Sequence, residues 1–273
     1  AATVTTVCVV LGIGLAVAIG AIASPALLPL TALVIVGLAL GSLVAGRVAG
    51  VGRMIAAGAL GLVVAVVLHL PWTLSLVADG GGWDAVMGAD VVTPRPIAEL
   101  LRFQTGPFGN TPLGWAFLLA AALPLVIGRG WRLAWGVRAW FVALVMWGVL
   151  LAGEQGHLPV AMPPPELLLV PAAVGLALSA ALGMAAFEVD LRHYGFGWRQ
   201  AVSIAAAAAV LVGGLTLAPG IVDGRWRVPG GDLNRAVAPT LTVVGDERAR
   251  ILWLGDPSVL PVGGHRYDDD VSL

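Results

Sequence analysis

Charge is what this sequence has least of. Only 11% of its 273 residues are charged, while 59% are hydrophobic. Soluble domains run near 25% charged and roughly 45–50% apolar. So little charge cannot wet the surface of a chain this long, which excludes a water-soluble globule for most of it and assigns the excess to lipid. Lysine is absent; all fifteen basic residues are arginine, a bias associated with GC-rich coding. The one cysteine, Cys8, excludes an intrachain disulfide and a cysteine-based metal site. The sequence has no Gly-rich phosphate loop, no His-Glu-x-x-His, no nucleophile elbow and no basic tract suited to nucleic acid. A charged leader with a small-residue cleavage pattern is also missing. The first residues are already apolar without an initiator Met, so the expectation is a start in mid-protein.

What is present is a series of apolar runs. Seven are long enough for the roughly 20 helical residues that cross a bilayer core: 3–23, 26–46, 54–77, 112–128, 133–152, 165–187 and 200–219. Lipid offers the backbone no partner, so each is expected to be helical. Ser24-Pro25 alone separates the first two, which predicts a tight hairpin. The fourth is short and contains Pro124. The fold class is thus an all-α polytopic membrane protein: a helical domain over 1–219 and an extracytoplasmic tail over 220–273 with one or two strands.

The arginines orient the bundle. With alternating helices, Arg47, Arg53, Arg129, Arg132, Arg192 and Arg199 fall on one side, and Arg138 can snorkel to it. The opposite loops, 78–111 and 153–164, hold only Arg95 and Arg102. The basic side is expected in the cytoplasm, which puts the start of the chain inside and the tail outside in a plasma membrane. Glu188 and Asp190 are then inside, while Asp79, Asp84, Asp90, Glu99 and Glu154 are outside. Trp72 and Trp115 mark outer helix ends, and Trp131 and Trp198 inner ones. No internal repeat appears, and seven helices do not divide into inverted halves.

Several places have chemical potential. The 78–111 loop is broken by Gly80-Gly81-Gly82 and by Pro94, Pro96 and Pro107. Within it Ile97, Leu100, Leu101 and Phe103 can form the apolar face of a short helix, with Glu99 and Arg102 on its polar side. Asp84 or Asp90 presents a carboxylate to a lipid-linked substrate there, or is a solvated loop acid. His69, in "VLHLPW", either satisfies backbone freed by Pro71 or faces a polar cavity. Glu154 and His157, in "AGEQGHLP", are spaced to meet on one helical turn as an acid/base pair or two metal ligands, though no third ligand stands at a suitable spacing; a plain polar loop is the alternative. Arg138 either snorkels or binds lipid phosphate, and Arg192 and Arg199 are candidate head-group contacts. No metal and no cofactor is expected.

Gly37-x-x-x-Gly41 and Gly46-x-x-x-Gly50 match the small-residue packing pattern; only the first lies fully within a span, and it predicts packing inside the bundle. "DDD" at 268–270 looks like an acidic metal motif of nucleotide-sugar transferases, but on the outer face it is a solvated run. In "RILWLGDPSVLP", 250–261, Arg250 to Leu254 reads as a strand buried on both faces, with "TLTVVG" at 240–245 as a possible neighbour. Asp256 follows the strand's carboxyl end, where open α/β sheets place their sites. The tail reads as the first edge of a further outer domain.

Three phrases carry a resemblance: "RFQTGPFGNTPLGWAFLLAAALPLVIGRGWRLAWGVRAW", "PPPELLLVPAAVGLALSAALGMAAFEVDLRHYGFGWRQ" and "ARILWLGDPSVLPVGG". Over roughly 95–265 the chain resembles the membrane-embedded C-terminal region of large actinobacterial membrane proteins assigned to family 2 glycosyltransferases. The resemblance implies a cytoplasmic nucleotide-sugar domain upstream, an outer domain downstream, and a role in assembling envelope polysaccharide or glycolipid on a lipid-linked substrate. The acidic metal motif, the catalytic base and the Gln-x-x-Arg-Trp of the transferase head are not in these residues, so no catalytic residue carries over. A transporter or flippase, which requires facing polar groups in mid-membrane, and a non-catalytic scaffold remain the other readings.

Overall fold

A computed structural model describes residues 2–70, 74, 96–103, 114–158, 162–190, 198–223, 266–268 and 271–272. The described helices are α1 (Ala2–Ala23), α2 (Leu27–Val44), α3 (Val51–Leu68), α4 (Ile97–Leu101), α5 (Trp115–Ile127), α6 (Gly130–Glu154), α7 (Pro165–Asp190) and α8 (Trp198–Asp223). A minimal antiparallel pair joins β1 (Arg266–Asp268) to β2 (Val271–Ser272). The strands expected at 240–245 and 250–254 lie outside the described residues, as does Asp256.

Each expected span contains a helix, but the helices differ in reach. α1, α2, α3, α6 and α7 are long and apolar enough to cross a membrane. The apolar part of α8, Gln200–Leu215, is shorter, and α5 has 13 residues. At about 1.5 Å per residue α5 covers about 20 Å of a core about 30 Å thick. The chain is thus a multi-pass helical membrane protein, with five helices long and apolar enough to span and two shorter apolar ones among the described residues. Their exposed faces carry large apolar side chains, such as Leu11, Leu15 and Ile19 on α1 and Val170, Val174 and Leu178 on α7. That surface suits acyl chains.

Contacts fix the relative directions of the helices. Gly37 lies against Val142 and Gly41 against Arg138; one number rises as the other falls, so α2 and α6 are antiparallel. Gly136 meets Pro124 and Trp140 meets Ala121, which makes α5 and α6 antiparallel too. Ser179 meets Ala121 and Gly183 meets Leu123, so α5 and α7 are parallel. Gly14 faces Val64 and Ala18 faces His69, so α1 and α3 are parallel.

Between lipid-soluble surfaces the hydrophobic effect gives no preference for helix over lipid, so close packing and interhelical hydrogen bonds hold the bundle. The Gly37–Gly41 stripe does this as expected. A Cβ on Gly41 would lie 2.5 Å from the Arg138 Cα, and one on Gly37 would lie 2.7 Å from the Val142 Cα. Gly46 and Gly50 have a different role. Their φ angles are +64° and +86°, and no atom lies near where a Cβ would stand. Gly46 closes α2 in a left-handed cap: its N–H bonds Leu43 O and the Arg47 N–H bonds Ser42 O, both at 3.0 Å.

The main core lies between α6 and α7, with α2 and α5 against it. Met146, Leu150, Leu168 and Ala172 are buried there. α4 adds to this core from one end. Leu100 is buried in it, while Leu101 and Phe103 pack against it and Ile97 stays exposed. The short helix expected in the 78–111 loop is therefore a plug on the bundle end where α6 finishes and α7 begins.

Candidate functional site

The candidate residues fall at two ends of the bundle. α6 begins at one end with Trp131, Arg132, Trp135 and Arg138, and finishes at the other with Glu154. The first turns of α6 meet the last turns of α2, because the two helices are antiparallel. There the missing side chain of Gly41 lets the Arg138 backbone close in. Ser42, the next residue, is fully buried. Its hydroxyl donates to Leu38 O at 2.7 Å, which leaves the oxygen to accept Arg138 Nε–H at 2.8 Å. The Arg138 guanidinium also lies 4.9 Å from the centre of the Trp135 ring, within cation–π range. One arginine is thereby held by a hydroxyl on its edge and an indole on its face. Arg132 lies 5.4 Å from the centre of the Trp131 ring.

At the other end, α6 stops where the spacing of Glu154 and His157 suggested a continued turn. Gln155 caps the helix and Gly156 takes φ +68°. The Gly156 N–H bonds Gly153 O and the His157 N–H bonds Ala152 O, both at 2.9 Å. The glycine reverses the chain, so Glu154 ends the helix and His157 lies beyond its cap, exposed. The Glu154 Oε1 atom is buried. Among the described residues, no three His, Cys, Asp or Glu side chains come close enough to hold a metal.

His69 caps α3, and its Nε2 lies 2.8 Å from Ala18 O on α1. A carbonyl only accepts, so Nε2 carries a proton in this contact. The half-buried imidazole ties α1 and α3 together; the carbonyl it meets belongs to α1 and is not one freed by Pro71. Asp84, Asp90 and Arg192 lie outside the described residues. Arg199 stands in the first turn of α8, and its side chain lies outside them.

Two further polar features escaped the sequence reading. The carbonyl of Ala121, in the turn ahead of Pro124, accepts Trp140 Nε1–H at 2.9 Å and Ser179 Oγ–H at 2.7 Å. Pro124 removes the helical donor of the preceding carbonyl, Ala120 O; at Ala121 O the added donors come from the neighbouring helices. The second feature is Trp147. It is buried beside Phe103, ring centres 5.9 Å apart at 52°, and its Nε1–H has no acceptor among the described residues. Phe103 adopts φ +58°, a backbone state that costs a bulky residue on the order of 1–3 kcal/mol and that contact with Trp147 helps to hold. Pro107 and the glycines around α4 pointed to a loop, but nothing local marked Trp147 as its seat.

The chemistry on offer is thus binding at the Arg138 end and hydrogen bonding at the Glu154 end. Compared with protein families, with curated proteins and with solved structures, the chain matches none.

Proposed function

We propose that this chain is the integral membrane portion of a glycosyltransferase-like protein of cell-envelope polysaccharide or glycolipid assembly. It anchors the enzyme and helps handle a lipid-linked substrate. In this reading all seven apolar helices cross the plasma membrane, the N-terminal end faces the cytoplasm and the tail faces outward. A nucleotide-sugar domain precedes the chain in the full-length protein and an outer domain follows it. The alternating directions of α2, α5, α6 and α7 support the seven-pass arrangement. The resemblance in "TPLGWAFLLAAALPLVIGRGWRLAWGVRAW" and "PPPELLLVPAAVGLALSAALGMAAFEVD" falls on α5, α6 and α7 and supports the enzyme class.

One observation carries the anchoring role over transport. The hydroxyls of the buried Ser42 and Ser179 are bound to helix carbonyls, and the core between α6 and α7 is filled with Met146, Leu150, Leu168 and Ala172. A translocation path needs polar groups facing one another there; among the described residues this core is filled mainly by apolar side chains.

Membranes from cells expressing the full reading frame test the proposal. They are expected to move sugar from a nucleotide sugar into lipid-extractable or polymeric material, and membranes lacking the gene are not. Equal incorporation by both would reject the enzyme class. Orientation has its own assay: in a Cys8→Ser background, a cysteine at Ser258 is expected to react with an impermeant thiol reagent in intact cells. Protection until lysis would reverse the topology.

A further inference from the structure

Arg138 is eight residues past the start of α6, about 12 Å along the helix axis. That depth lies within a span, where arginine is costly without a partner. The side chain does not stand at that depth alone. Helical Cα–Cβ bonds lean toward the N-terminus, and the guanidinium is carried back over Trp135, one turn nearer the helix end. Trp131, Trp135 and Arg138 share one stripe of α6 at i, i+4 and i+7, and both tryptophans are exposed. Leu40, Leu43 and Val44, around the Gly41 crossing on α2, are exposed as well. A fixed cation therefore sits between apolar rims on the lipid-facing surface.

Donor accounting shows what remains for a ligand. Ser42 gives its hydrogen to Leu38 O and takes one from Arg138 Nε. Among the described residues, Arg138 has only Ser42 and Trp135 as partners, and neither terminal nitrogen is occupied. With Nε held and the face covered, the free edge is the pair of Nη groups. That edge matches two oxygens of a phosphate in bidentate geometry. The pre-set side chain also loses less rotamer freedom on binding than a loose one.

We propose that the α2–α6 crossing binds the phosphate of an anionic membrane lipid, gripped by the Nη edge of Arg138, with acyl chains against Leu40, Val44 and Trp135. The apolar rims select a lipid over a free phosphate ion. The proposal requires α2 and α6 to lie in a bilayer; it does not depend on the glycosyl-transfer reading.

Native mass spectrometry of the detergent-purified protein tests it, with phosphatidylglycerol, phosphatidylcholine and inorganic phosphate as probes. The wild type is expected to retain one phosphatidylglycerol in preference to phosphatidylcholine, and millimolar inorganic phosphate should not displace it. Arg138→Gln should cut retention on the order of tenfold, the scale of a lost charge-assisted pair. Arg138→Lys, which keeps the charge without the fork, and Ser42→Ala, which frees Nε, should each cut it about threefold. Arg53→Gln, a change at an exposed arginine, should leave it unaltered. Full retention by folded Arg138→Gln overturns the proposal. Should that variant not fold, full retention by both Arg138→Lys and Ser42→Ala overturns it equally. Displacement by inorganic phosphate would make this an ion site and overturn the lipid assignment.

Discussion

The α1–α3 group and the α5–α7 group are both apolar, yet they are assembled differently. In the first, glycine fits against aliphatic side chains: Gly14 against Val64, Gly58 against Ile35 and Gly61 against Ile13. A side-chain bond from His69 to Ala18 also crosses it. In the second, a single carbonyl on α5 collects donors from α6 and α7, and a filled core surrounds it. Burial follows the same division: 17% of the α1 span is buried, against 44% of the α7 span. Close packing of glycine on aliphatic side chains dominates at the rim, whereas at the centre a shared carbonyl acceptor joins three helices. α2 belongs to both groups, since it packs on α3 and on α6.

The comparison is broken most directly at its hinge. Gly41→Leu inserts a side chain where even a Cβ meets the Arg138 backbone at 2.5 Å. Overpacking costs about 1–3 kcal/mol when neighbours can shift, and a helix backbone shifts little. We expect a large fall in the detergent unfolding midpoint, and a wild-type midpoint would mean that α2 and α6 do not cross there. Next in size is the shared acceptor. Ser179→Ala should destabilise by about 0.6 kcal/mol, near the average for membrane hydrogen bonds. Combined with Trp140→Phe the loss should be non-additive, because both donors use Ala121 O; strict additivity in a double-mutant cycle would separate them. His69→Leu should have a smaller and local effect. Hydrogen exchange should rise at the ends of α1 and α3 while α6 and α7 keep their protection, and an equal rise in α7 would refute the division into groups. The smallest effect is expected from Trp147→Phe, which keeps the ring on Phe103 and deletes a buried donor without an acceptor among the described residues. Stability should stay level or rise by up to about 1 kcal/mol; a loss above that range would reveal an acceptor for the indole.

Lipid makes some of this legible from sequence and hides the rest. The apolar runs, the Ser24-Pro25 hairpin, the Gly37–Gly41 contact and the short helix at 97–101 follow from rules that act over neighbouring residues. Gly46 and Gly50 repeat the Gly37–Gly41 spacing and yet serve turns, since spacing does not tell whether a helix continues through it. The same ambiguity affects Glu154 and His157: Gly156 is a helix-stop signal, and the i,i+3 spacing has meaning only if the helix ignores it. Ser42 and Arg138 are 96 positions apart, and Ser179 and Ala121 are 58 apart. No periodicity joins such pairs. They become partners only through the crossing of helices whose surfaces look alike in composition.

In the seven-pass arrangement proposed above, the shortness of α5 has a consequence for the membrane itself. Leu119, Leu125 and Val126 face outward from this helix, whose 13 residues cover about 10 Å less than an ordinary hydrocarbon core. Tilting reduces coverage further, so the mismatch is met by Trp115 and Arg129 at its flanks or by lipid that compresses beside it. A short helix deforms the bilayer locally, on the side it faces. The protein should therefore settle in thinner membrane regions and collect shorter-chain lipids along α5, making the surrounding lipid annulus as asymmetric as the bundle.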